Sequence, residues 1–166
     1  MAKVITFSRF FPAYHPRKGE PTYFVEALLN NIGVKIQSEL LSNVRELIND
    51  FFMLDGTINK AHTIRLGERW KVGDKFSPRV WSGKPYNSKQ IKIANDIEIK
   101  KVWSIEMDAD GVFYINGKYV DVTSSICDGK TVADNDGLNS DDLLNWFPVG
   151  KPFKGQVICW DEKINY

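Results

Sequence analysis

The stretch IEIKKVWSIEMD, residues 97–108, carries the longest alternating apolar run in the chain, and it limits the possible folds more than any other feature. Alternate side chains share one face of a strand, so a run of this length predicts a central strand with one face against a core. Around it, residues 60–166 read as short strands separated by turns. Gly73-Asp74 and Ser82-Gly83 punctuate segments holding Trp70, Val72, Phe76, Val80 and Trp81. Asn116-Gly117, within GVFYINGKYVDV, is the strongest hairpin signal, because two consecutive residues that tolerate positive φ suit a tight two-residue turn. KVITFSRF, residues 3–10, and GQVICWDEKI, residues 155–164, predict an opening and a closing strand.

Between the opening strand and residue 60 the period changes. FPAYHPRKGEP contains three prolines in eleven residues and predicts a loop. Phe24, Val25, Leu28, Leu29 and Ile32 recur at helical spacing, which predicts a helix from about Thr22 to a stop at Gly33. A second helix is expected over residues 35–52, with Ile36, Leu40, Leu41, Val44, Leu47, Ile48 and Phe51 as its apolar stripe. Near the end, GLNSDDLLNWFP predicts a short helix capped by Asn139 or Ser140, with acidic residues favoured in its first turn by the helix dipole. The expected architecture is therefore α+β. It is a single domain over residues 1–166, a small barrel of short strands with a two-helix insertion at residues 12–58 and a short late helix.

Composition narrows the function classes. Apolar residues make up 43% and charged residues 26%, and no stretch has the apolar length of a membrane span. MAKVITFSRF lacks the apolar run of a secretory leader, so a cytoplasmic protein without membrane association is expected. Cys127 and Cys159 match neither a disulfide framework nor a zinc pattern, and read as buried free thiols. No glycine-rich phosphate loop, paired-histidine metal motif or nucleophile elbow occurs, and no metal or cofactor is expected. Charge is unevenly distributed. Residues 60–101 carry eleven basic and four acidic side chains, whereas residues 102–166 carry five basic and eleven acidic. A clustered positive segment suits phosphates, although two mutually attractive solvated faces would look the same in sequence.

Lys60, His62, Thr63 and Arg65 crowd into KAHTIR. On a strand, His62 shares a face with Lys60 while Thr63 shares the other with Arg65. An amine three residues from a hydroxyl could activate it as a nucleophile, provided that the lysine is partly neutral, which requires burial or a nearby cation to lower its pKa from about 10.4. By spacing alone a Lys-x-x-Thr pair is weak evidence of catalysis. His15 is the remaining imidazole and reads as structural.

ITFSRF, KAHTIR, RWKVGDKF and ADNDGLNSDDLLNWF occur in the order found in ASCH domains, small PUA-like β-barrel modules, and the chain resembles that family over almost its whole length apart from residues 12–58. Within the family it is similar to the compact bacterial amidohydrolases that act on N4-acetylcytidine. That resemblance implies a catalytic lysine at Lys60, a threonine at Thr63 and a carboxylate at Asp136, with aspartate standing where the family pattern has glutamate. Asp134 is the alternative carboxylate. It further implies an RNA, modified nucleotide or modified nucleoside as ligand, held in a basic cleft. His62, Arg65, Trp70, Trp81 and Lys84 are candidate ligand contacts: cations for a phosphate or carbonyl, aromatics for a base. Core packing is the competing role of both tryptophans, and a salt bridge that of Arg65. Lys89 and Lys92 would line the same phosphate-binding side as Lys84.

Overall fold

The computed structural model describes residues 2–34 and 44–166, and the chain divides into two compact units. Met1–Lys60 and Lys75–Glu98 form the first; Ala61–Asp74 and Ile99–Tyr166 form the second. Each unit holds its own sheet, and strands outnumber helices, so the architecture is mixed α+β. Neither sheet closes on itself among the described residues.

In the first unit, strand β1 (Lys3–Thr6) runs parallel to β3 (Lys75–Trp81), which pairs antiparallel with β4 (Gln90–Lys92) and β5 (Ile97–Glu98). Helix α1 (Phe24–Asn31) forms where the helical period predicted it. Phe24, Val25, Ala27, Leu28 and Leu29 are all buried, the four larger side chains each worth about 1.5–3 kcal/mol relative to exposure. It stops at Gly33, whose φ of 72° suits glycine, and the Val34 N–H closes the turn on the Leu29 carbonyl at 3.0 Å. Polar side chains of α1 then hold the chain that follows. Glu26, fully buried, accepts from the Asn49 and Asp50 N–H groups at 2.6 and 3.2 Å. Asn30 donates to the Met53 and Ile58 carbonyls, both at 2.8 Å, and the Lys60 N–H donates to the Ala27 carbonyl at 3.1 Å.

In the second unit the sheet order is β2 (His62–Leu66), β9 (Phe153–Cys159), β6 (Lys101–Met107), β7 (Phe113–Ile115) and β8 (Lys118–Val120), all antiparallel. The β7–β8 turn is the expected one: Asn116 and Gly117 have φ of 50° and 74°, the positive pair a tight hairpin needs. A one-turn helix α2 (Val132–Asn135) precedes α3 (Ser140–Trp146), and Asn139 caps α3 by accepting from the Asp142 N–H at 2.8 Å.

Some expectations change. The alternating run at residues 97–108 is two strands in different units, because Ile97–Glu98 pairs with β3 whereas Lys101–Met107 pairs with β9 and β7. Alternation records which side chains face inward, and it cannot record which neighbour supplies the hydrogen bonds. The opening strand ends at Thr6, with Phe10 making only an isolated bridge to Pro21. The second helix expected over residues 35–52 lies partly outside the described residues; within them, Arg45–Leu47 and Phe51–Asp55 are separate 3-10 turns. Ile48 between them is extended, with ψ of 120°, so no single helix runs through to Phe52. No described helix is long and apolar enough to cross a membrane.

Gly155 lies where β9 passes between β2 and β6, opposite Leu66 and Ile105. A Cβ there would run into the Arg65 backbone carbonyl and the Phe153 ring. Gly155→Ala should therefore destabilise the protein by about 1–3 kcal/mol. Gly83→Ala, whose added Cβ meets only Ser88 Cβ at 3.6 Å, should stay within about 0.5 kcal/mol. Urea unfolding of both variants checks this; equal midpoints would show that the β2–β9 spacing yields freely.

Candidate functional site

Strand β2 carries KAHTIR into the second unit, opposite β9, with His62 across from Cys159 and Thr63 across from Ile158. Both are buried, at 0% and 5% exposure. Just before the strand, the Ala61 N–H donates to the Asn135 carbonyl at 2.8 Å and the Ala61 carbonyl accepts from the Trp160 N–H at 3.1 Å. Those two bonds tie the start of β2 to the end of α2 and to the chain leaving β9.

Helix α2 is short because its ends are both closed. Thr131 caps it, accepting from the Asp134 N–H at 3.0 Å while the Asp134 carboxylate accepts from the Thr131 N–H at 2.9 Å. Asp134 thus serves as a capping residue. Asp136 sits at the C-cap, its N–H donating to the Val132 and Ala133 carbonyls, and it is only 6% exposed. The late acidic segment and strand β2 consequently meet within the second unit, with His62 Nδ1 3.5 Å from Asp136 Oδ1.

Two residues that sequence reasoning did not single out complete this cluster. The Tyr166 hydroxyl is 2.8 Å from His62 Nε2, and Asn135 Nδ2 donates to it at 3.0 Å. The Tyr166 ring packs against Trp103 at 5.0 Å and meets His62 edge-on at 5.6 Å. Lys101 fixes the approach to Tyr166, its ammonium donating to the Glu162 and Ile164 carbonyls at 2.9 and 2.5 Å. Burial pushes the Tyr166 phenol well above its usual range, opposed by the Asn135 hydrogen bond and reinforced by Cys159 and Asp136, so it stays protonated in neutral solution. Burial likewise pushes the Cys159 thiol up to about 12, leaving it unreactive. Asn135 lies inside a motif already in view, whereas nothing in the spacing of Tyr166 points to residues 104 positions earlier.

Lys60 belongs to the first unit and is 1% exposed. Its ammonium lies 3.9 Å from the Phe24 ring centroid and 5.8 Å from that of Phe7. Ring faces return part of the lost hydration through their quadrupoles, but an ammonium withdrawn from water is also the setting in which a lysine can act as a base.

The remaining candidates separate by position. Trp70 is buried in the second unit, and its backbone N–H and carbonyl are both bonded by the Gln156 amide at 3.0 Å. Arg65 is half-buried on β2. Trp81 and Lys84 belong to the first unit, where the β3–β4 hairpin carries them with Lys89. Trp81 is half-buried beside Tyr86, with ring centroids 5.4 Å apart, while Lys84, Lys89 and Lys92 are exposed. Lys92 pairs with Asp96 at 2.7 Å. Among the described residues, no three His, Cys, Asp or Glu side chains gather as a metal site.

Comparison of the chain with protein-family models, with curated proteins and with solved structures finds no match.

Proposed function

We propose that the protein is a PUA-like, ASCH-type module that binds RNA or a modified nucleotide. The observation that carries this reading is the β3–β4 hairpin. Residues 75–94 contain Lys75, Arg79, Lys84, Lys89 and Lys92 and no acidic residue. At the tip Tyr86 is 87% exposed, with φ of 64°, a left-handed conformation that a bulky residue seldom adopts. The tip is held by its own hydrogen bonds. Ser82 N–H donates to the Lys89 carbonyl at 2.9 Å, and Ser88 Oγ donates to the Lys84 carbonyl at 2.9 Å while accepting from the Gly83 N–H at 3.0 Å. An ordered tip that offers an aromatic face between lysines suits an unstacked base flanked by phosphates.

A second reading is favoured by the burial of Lys60, Thr63 and Asp136: hydrolysis of an acylated nucleoside such as N4-acetylcytidine, without a metal. In that chemistry the Thr63 oxygen attacks the acyl carbon as its proton passes to the Lys60 amine. The carbon–nitrogen bond breaks, and the proton moves from Lys60 to the departing cytidine amine. Water then hydrolyses the threonine ester, releasing acetate and restoring the hydroxyl. Asp136 orients the substrate or relays the proton.

Both readings are measurable on the purified protein. Titration of a fluorescent single-stranded RNA should give binding that weakens about tenfold in Tyr86→Ala, within the range of one lost base stack. In a Lys84→Ala/Lys89→Ala variant the slope of log affinity against log salt should fall by about 1.4, two phosphate contacts on a single strand. Binding that is absent, or indifferent to all three residues, would overturn the first reading. For the second, incubation with N4-acetylcytidine should release acetate, and Lys60→Met should slow release by about a hundredfold or more. No release by the wild type would overturn the second reading alone.

A further inference from the structure

With the Asn135 amide nitrogen as donor and the imidazole neutral, the hydrogen bonds around Tyr166 run in one direction, and that direction assigns a role to two side chains. Asn135 Nδ2 is a donor, so the Tyr166 oxygen accepts from it. The phenol keeps its own proton, and the acceptor facing it is His62 Nε2 at 2.8 Å. With Nε2 accepting, a neutral imidazole carries its proton on Nδ1, which faces the Asp136 carboxylate at 3.5 Å, an electrostatic contact longer than a hydrogen bond. The chain of contacts begins and ends on adjacent residues, Asn135 and Asp136. Its far end is steadied by the Trp103 ring, against which Tyr166 packs.

We infer that His62 and Tyr166 are positioning residues for Asp136: Tyr166 selects the imidazole tautomer, and the His62 Nδ1–H side then holds the carboxylate in one orientation. The inference rests on the amidohydrolase reading, in which Asp136 takes part in the reaction. It also answers a difficulty of that reading. An aspartate is one methylene shorter than the glutamate implied by the family resemblance, and a short carboxylate must be held at the correct distance because errors below an ångström change rates. His62 is completely buried, which suits action through Asp136 better than direct contact with a ligand.

Two measurements test this. The first is 15N NMR of imidazole nitrogens, with His62→Gln identifying the His62 signals. The wild type should show His62 with Nδ1 protonated and Nε2 bare, and Tyr166→Phe should convert it to a mixture of tautomers. A proton on Nε2 of the wild-type ring would overturn the inference, whether or not the protein turns over any substrate. The second is steady-state hydrolysis of N4-acetylcytidine. Tyr166→Phe should lower kcat about ten- to a hundredfold, with KM within about twofold. Adding Asp136→Glu to Tyr166→Phe should recover part of the loss, since a longer carboxylate depends less on being held. An active wild type whose kcat survives both Tyr166→Phe and His62→Gln would overturn the positioning role and leave the hydrolase reading standing. An inactive wild type would overturn the hydrolase reading and with it the role in catalysis, while the NMR result would still decide whether the tautomer is selected.

Discussion

Strand β9 is hydrogen-bonded along both edges, to β2 on one side and β6 on the other, and the second unit depends on that double pairing. A strand buried this way cannot shift by one residue without turning its apolar side chains outward and misaligning two ladders. Val157, Ile158 and Cys159 are wholly buried in it, and Gly155 permits the close approach of the Arg65 carbonyl. The register then places His62 opposite Cys159, next to where the chain leaves β9, and the Trp160 N–H takes up the Ala61 carbonyl. Once Ala61 is held there, its N–H fixes Asn135, and the Asp136 carboxylate arrives beside His62.

The first unit solves a different problem. Its helix α1 buries a carboxylate, Glu26, and the chain that α1 supports ends in a buried ammonium, Lys60. Charged groups in such surroundings are costly unless hydrogen bonds or polarisable faces replace the water. Glu26 is served by two backbone N–H groups and thereby pins residues 49–50, an evident structural task. The Lys60 ammonium lies over the Phe24 ring, with the Phe7 ring beyond it.

Local rules made much of this visible beforehand. Helix α1, its stop at Gly33, the Asn116-Gly117 hairpin and the Asn139 cap follow from backbone conformations that only certain residues tolerate, so each could be read from a few neighbouring letters. The expected strand forms from His62 onward, with Lys60 and Ala61 just before it. The run at residues 97–108 misled because alternation is the same in any sheet. Residues 45–52 misled because an apolar stripe at helical spacing is also satisfied by two 3-10 turns with an extended residue between them.

What the sequence determined by itself is therefore the type of α1, of the Asn116-Gly117 hairpin and of the late helix, and the presence of a lysine, a histidine, a threonine and a carboxylate in two short motifs. The meeting of His62 with Asp136, and the recruitment of Asn135 and Tyr166 to them, was decided only in three dimensions. Those contacts join segments up to 104 residues apart. They exist because β9 sets the register of β2 and because Lys101 holds the chain before Tyr166, and neither constraint leaves a periodic trace in the sequence. Periodicity reports which way a side chain faces; it carries no information about which distant side chain it will face.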